Sequence, residues 1–249
     1  LWFAWATMGG YIWLTRTYGI GQLGWLASLT AAVMFLYGSW LPQSQHEITP
    51  LVPALVSYWR QIHVPPLIVS YAMFFLSGLC GLIQLFQAQK KKTGIALSVT
   101  IVLAVAAVMM GTFTKVDTFC LQLIFLVGFV CGALLSFYLL KQDSSSELNE
   151  ELAARYDDIS YRCIVVGFPL LTIGIITGGL WANHAWGSYW SWDPKESMAL
   201  VTWLSYAAYI HLRVHREISR ERLSLVSVIG LLLTLLTYLG FNTLGFGGL

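Results

Sequence analysis

Long stretches without charge dominate this chain. Residues 64–89 (VPPLIVSYAMFFLSGLCGLIQLFQAQ) carry no Asp, Glu, Lys or Arg, and neither do 93–114, 118–140, 163–192 or 223–249. A helix that crosses a bilayer needs roughly 20 apolar residues, and in lipid the backbone must satisfy its own hydrogen bonds. Each run therefore predicts a membrane-spanning helix. Two more, at about 1–15 and 19–41, raise the expectation to about seven. The predicted fold is all-α, a polytopic integral membrane helical bundle in one domain over residues 1–249. Between the runs lie polar segments, among them the acidic QDSSSELNEELAARYDDISYR. There Leu148, Leu152, Tyr156 and Ile159 recur at helical spacing, which predicts a short amphipathic helix on the membrane surface.

Composition agrees with the pattern. The 249 residues are 57% hydrophobic and 10% charged, where soluble domains carry about 25% charged residues, so a soluble globule is excluded. Residue 1 lies inside an apolar run, and FNTLGFGGL ends the chain without a polar tail. The expectation is a domain truncated at both ends. Cys80, Cys120, Cys131 and Cys163 form no CxxC pair and no metal spacing. Each reads as a small hydrophobe within a span, and without a CxxCH motif the chain is not itself a c-type cytochrome.

Charge supplies the orientation, since cytoplasmic loops are enriched in Lys and Arg. Placing Lys90, Lys91 and Lys92 inside puts Arg16, Lys141, Arg155, Arg162, Arg213, Arg216, Arg220 and Arg222 there too. Only Arg60, Lys115 and Lys195 fall outside. The loop 42–63 and the segment WGSYWSWDPKES (residues 186–197) then face outward. The net charge of +2 adds little, and nothing in the sequence points to nucleic acid.

The segment WGSYWSWDPKES carries the chemistry. Asp193, Pro194 and Glu196 have the order of an N-cap, a first helical residue and the far end of a capping box, so a helix starts here and runs inward. Trp181, Trp186, Tyr189, Trp190 and Trp192 gather ahead of it. An aromatic belt at the interface is the plain reading, but a belt scatters its rings, and these concentrate beside a positive helix end that favours anions. A large planar ligand with carboxylates suits both features, and haem is such a ligand.

Haem needs axial ligands, most often His. His63 follows the outward amphipathic stretch LVPALVSYWRQIH, on the same side as the tryptophans. His211 lies about fifteen residues, roughly 22 Å, deeper along the Asp193 helix, and an ionisable group within a span is a functional candidate by default. Tyr206 and Tyr209 are expected to flank it and wall a second flat pocket. The alternative for His211 is an interfacial histidine. His215 and His46 read as solvated loop histidines, and His184 stays open between a ligand and a loop cap.

These residues resemble a known family. WGSYWSWDPKES resembles the tryptophan-rich "WWD" signature of haem-handling proteins. The run from DDISYR to YIHLRVH resembles the CcsA (ResC) family, a subunit of the system II cytochrome c synthase, and LVPALVSYWRQIHVPPLIVSYA resembles that family's first external ligand segment. The Pro-Lys-Glu after Asp193 favours the CcsA type over the CcmC and CcmF types. The resemblance implies a subunit of a haem lyase in a bacterial inner membrane or thylakoid membrane. Haem b is its substrate and ligand, exported and presented on the periplasmic or lumenal side to the CxxCH cysteines of an apocytochrome c. It also implies a CcsB (ResB) partner, His63 and His211 as axial ligands of haem iron, and Trp186, Tyr189, Trp190, Trp192 and Asp193 as the haem-binding segment. The family's second external histidine would lie beyond residue 249 and further spans before residue 1. The alternatives are a CcmC-type relay that hands haem to a chaperone and an unrelated membrane transporter.

Overall fold

A computed structural model describes residues 2–19, 56–87, 150–215 and 218–240, together with a few positions between 24 and 32 and Val99. Within these the chain is helical and no strand occurs. We label the helices α1 (Trp2–Tyr18), α2 (Trp59–Gln87), α3 (Glu150–Trp186), α4 (Pro194–His215) and α5 (Arg220–Leu235), the last continuing as a π-helix over Leu236–Gly240. Among the described residues three stretches are long and apolar enough to cross a membrane: Trp59–Phe86, Glu151–Trp186 and Arg220–Tyr238. The expected spans at 93–114 and 118–140 lie outside the described residues, Val99 apart, and most of 19–41 does too. Also outside are the QKKKTG loop, His46, Cys120 and Cys131. α4 is 22 residues long, about 33 Å at 1.5 Å per residue, with its charged residues near its two ends.

The expected surface helix is not separate. Leu152, Tyr156 and Ile159 lie in the first turns of α3, and Tyr156 and Ile159 are buried. Their periodicity reflects packing inside the protein. A 3.6-residue repeat of apolar positions looks the same whether the apolar face meets lipid or other helices.

The chain divides into two compact units, one of Leu1–Leu76 with Val166–Ser191, the other of Ser77–Val165 with Trp192–Leu249. In the first, α2 and α3 run antiparallel in a fixed register. A Cβ added at Gly167 would stand 2.8 Å from the Phe74 ring, one at Gly174 would overlap Leu67, and one at Gly178 would stand 2.6 Å from the His63 ring. Each step forward on α3 is matched by an equal step back on α2. With no hydrophobic drive between helices in lipid, such small-residue stripes permit the close approach on which packing depends. α1 adds Phe3, whose ring meets Phe75 edge-on at 5.7 Å.

The second unit is held by polar contacts as well as apolar ones. Leu85, Leu225 and Val228 form a buried cluster between α2 and α5, and Gly81 brings the Ser224 carbonyl close to α2. Ser77, Ser160 and Ser227 form a closed ring of buried hydroxyls at 2.9, 2.8 and 3.1 Å. A hydroxyl both donates and accepts, so a three-membered ring satisfies every member with one bond given and one received. Asp157 on α3 is buried and accepts from the Arg213 guanidinium of α4. Arg220 of α5 stands 3.9 Å from the same oxygen, and Arg213 also lies over the Tyr161 ring at 5.0 Å. Removing one member of a buried pair costs roughly 3–5 kcal/mol. The Arg213 side chain keeps 21% of its surface exposed against 4% for Asp157, so Asp157→Ala should fall toward the lower end. Thermal unfolding in detergent checks this, and Asp157→Ala with Arg213→Ala should cost less than the two single changes added together.

Candidate functional site

α2 opens with Trp59, and His63 is its fifth residue. Pro65 and Pro66 follow inside the helix. Neither has an N–H, so the carbonyls of Gln61 and Ile62 receive no bond from the usual helical donors. A side chain bonded across to α3 fixes this loosened turn. His63 Nδ1 lies 2.8 Å from the Gly174 carbonyl oxygen. A carbonyl only accepts, so Nδ1 carries the proton, and in the neutral imidazole the lone pair is then on Nε2. Such a bond to the second nitrogen is what orients a ligating histidine and sets its tautomer.

Space for the ring comes from Gly178, where a Cβ would press on His63 Cε1. Trp181 closes one side, its ring 5.7 Å from that of His63 at 61°, and Trp186 lies 6.4 Å from Trp181 at a 34° tilt. His63, Trp181 and Trp186 thus form a continuous aromatic wall. In the sequence, Gly174 and Gly178 are signalled only as the GxxxG of GIITG in an apolar run, the spacing that lets two membrane helices touch.

After Trp186 the chain must turn. Gly187 takes φ 77°, and its N–H donates to the Asn183 carbonyl at 2.9 Å, a left-handed helix cap that glycine adopts without a Cβ clash. Trp186, Tyr189 and Trp192 are 57%, 59% and 71% exposed, whereas Trp190 is half-buried. Within the first unit, the open rings of Trp186 at the end of α3 and Tyr189 just past it can stack against a flat apolar partner. Trp192 holds φ 59°, a left-handed backbone that costs a non-glycine residue on the order of 1–3 kcal/mol. The division between the units falls beside it, so Trp186, Tyr189 and Trp190 group with His63, and Trp192 and Asp193 group with α4.

Asp193 caps α4 as expected. Its Oδ1 accepts the Glu196 N–H at 2.9 Å, and its carbonyl accepts the Ser197 N–H at 2.9 Å. From this cap to His211 the helix is unbroken, eighteen residues or about 27 Å along the axis, longer than the roughly fifteen residues and 22 Å expected. His211 is exposed, while Tyr206 and Tyr209 are buried. The expected pocket with both tyrosines flanking His211 does not form, because those residues occupy the opposite side of the helix. His215 is the last helical residue and not part of a loop, and its ring lies beside that of His211. His184 is exposed in the last turn of α3.

Comparison with known proteins shows a family. The profile of the family described as cytochrome C assembly protein matches residues 1–248. The cytochrome c biogenesis protein CcsA of Cyanophora paradoxa is 39% identical over 222 residues, covering 88% of this chain and 65% of that protein. The CcsA of Mesostigma viride is 35% identical over 230 residues, 91% of this chain and 67% of the relative. The CcsA of Synechococcus sp. (strain CC9902) is 41% identical over 207 residues, 83% and 60% respectively. The chain therefore spans about two thirds or less of the length of the curated relatives it matches.

The Asp193 cap is testable apart from any ligand. Asp193→Ala should destabilise the protein by about 0.5–2 kcal/mol, and Asp193→Asn, which still caps, by much less. Thermal unfolding in detergent separates the two. Equal losses would mean that the carboxylate charge matters and capping does not.

Proposed function

This chain belongs to the CcsA family of cytochrome c assembly proteins, and from that premise we propose that it carries haem across a membrane and presents it on the outer face for covalent attachment to an apocytochrome c. The observation that carries the reading is the His63 imidazole, with Nδ1 bonded to Gly174 and Nε2 available as an axial donor beside Trp181. A histidine so held is suited to ligate haem iron.

In this reading the chain's residues bind and orient. His63 supplies one axial position of an external haem b. Trp186, Tyr189, Trp190 and Trp192 cover its face, and the α4 N-terminus behind the Asp193 cap attracts its carboxylates. Thioether formation adds each cysteine S–H across a haem vinyl group, the sulfur bonding one carbon and the hydrogen going to the other. No electrons are transferred in that step. Proximity and orientation supply the rate, so no catalytic triad is invoked. His211 serves as ligand at a second, inner haem position, from which haem passes to the outer one. The outer site opens on the periplasmic side of a bacterial inner membrane or the lumenal side of a thylakoid, and a CcsB/ResB-type subunit completes the synthase.

Two sets of variants test this. His63→Ala should lose most external haem by pyridine haemochrome assay and most holocytochrome c, while helix content by circular dichroism stays unchanged. His211→Ala should lower haem at both positions. Parental haem and cytochrome yield in His211→Ala would remove the relay and leave the outer site alone. Gly178→Ala keeps both histidines but crowds the His63 ring, so external haem should fall several-fold or the visible spectrum should shift. A parental spectrum there would mean that Gly178 does not set the position of His63.

A further inference from the structure

The last turns of α4 bring two imidazoles together on an exposed face. His211 and His215 are four residues apart, the spacing that stacks side chains on one side of a helix. Their ring centroids lie 4.4 Å apart at an interplanar angle of 50°, and both side chains are exposed. Two imidazoles bound in adjacent positions of one ion, at metal–nitrogen distances of about 2.0–2.1 Å, would have centroids about 4.5–5.2 Å apart. The pair is within a small rotamer adjustment of that geometry.

The described neighbours at this helix end lie away from the pair. Arg213 lies between the histidines in sequence but on the other side of the helix, where it binds Asp157 and covers the Tyr161 ring. Its guanidinium is thereby turned away from the two imidazoles. Among the described residues no group of three or more His, Cys, Asp or Glu is gathered for a metal, so of these residues the pair alone would supply donors, two in number, with water able to fill further positions. Imidazole donors favour copper, nickel and zinc over calcium or magnesium.

We propose that His211 and His215 form an exchangeable binding site for one divalent transition-metal ion, with Cu2+ held most tightly and Ni2+ and Zn2+ less so. The site stands without the haem reading. If His211 also ligates an inner haem, the two uses exclude each other, since a ring nitrogen donates one lone pair to one metal. A transition-metal ion on the pair would then oppose haem loading there.

The test uses the purified protein in detergent without a polyhistidine tag. Cu2+ is titrated calorimetrically and the bound ion examined by electron paramagnetic resonance. One strongly bound Cu2+ per chain is expected, with two nitrogen ligands in its spectrum and displacement by excess Zn2+. His211→Ala and His215→Ala should each remove one nitrogen and weaken binding at least tenfold, while His63→Ala and His184→Ala leave it unchanged. His215→Gln, similar in size and still helical, should behave like His215→Ala, which guards against simple fraying of the helix end. Parental affinity and spectrum in either the His211 or the His215 variants would overturn the site. Haem content separates the two readings: His215→Ala loses the ion and keeps its haem, whereas failure of the inner haem position leaves ion binding intact.

Discussion

The bond from His63 to the Gly174 carbonyl is the contact on which the placement of the His63 ring depends. It assigns the proton to Nδ1 and leaves the lone pair on Nε2, and it holds the ring against the glycine face of α3. That bond exists only because α2 and α3 approach closely enough for a side chain on one to reach the backbone of the other. The approach in turn depends on Gly167, Gly174 and Gly178, where a Cβ would collide with Phe74, Leu67 and His63. Helix packing and the orientation of His63 are here one arrangement, since the glycine that admits the ring lies in the same stripe that brings the helices together.

In the second unit the low dielectric of the interior has the same effect by another route. A polar group withdrawn from water is costly unless it finds a partner, and several polar groups of this unit pair across helices. The serine ring joins α2, α3 and α5, while Asp157 gathers Arg213 from α4 and draws Arg220 from α5. Turning Arg213 toward Asp157 also decides what the opposite side of α4 displays. The exposed His211–His215 pair is therefore coupled to a buried ion pair through helix geometry, with no direct contact needed.

The WGSYWSWDPKES segment shows how a local rule and a surface property divide the work. Asp193 starts α4 by satisfying an orphan amide, and Gly187 ends α3 by entering a conformation that suits glycine. Trp186 just before Gly187, and Tyr189 and Trp192 between Gly187 and Asp193, stay open. The left-handed backbone at Trp192 is tolerated where two helix ends constrain a short connection.

Much of this was legible in the residues themselves. Long uncharged runs predict helices because lipid allows few other backbones, and Asp-Pro-Lys-Glu predicts the α4 start because capping uses only neighbouring atoms. Both are local rules, and both hold in the structure where it is described. The tryptophan cluster and the candidacy of His63 were likewise visible as residue types. What only the tertiary structure decided are the relations between distant positions: Gly174 and Gly178 as the seat of His63, the serine ring, and Asp157 as the partner of Arg213. It also decided which side of α4 faces inward, burying Tyr206 and Tyr209 and leaving His211 exposed beside His215. The physical reason is that helical periodicity says which residues share a face, whereas the neighbours packed against the helix determine what that face meets.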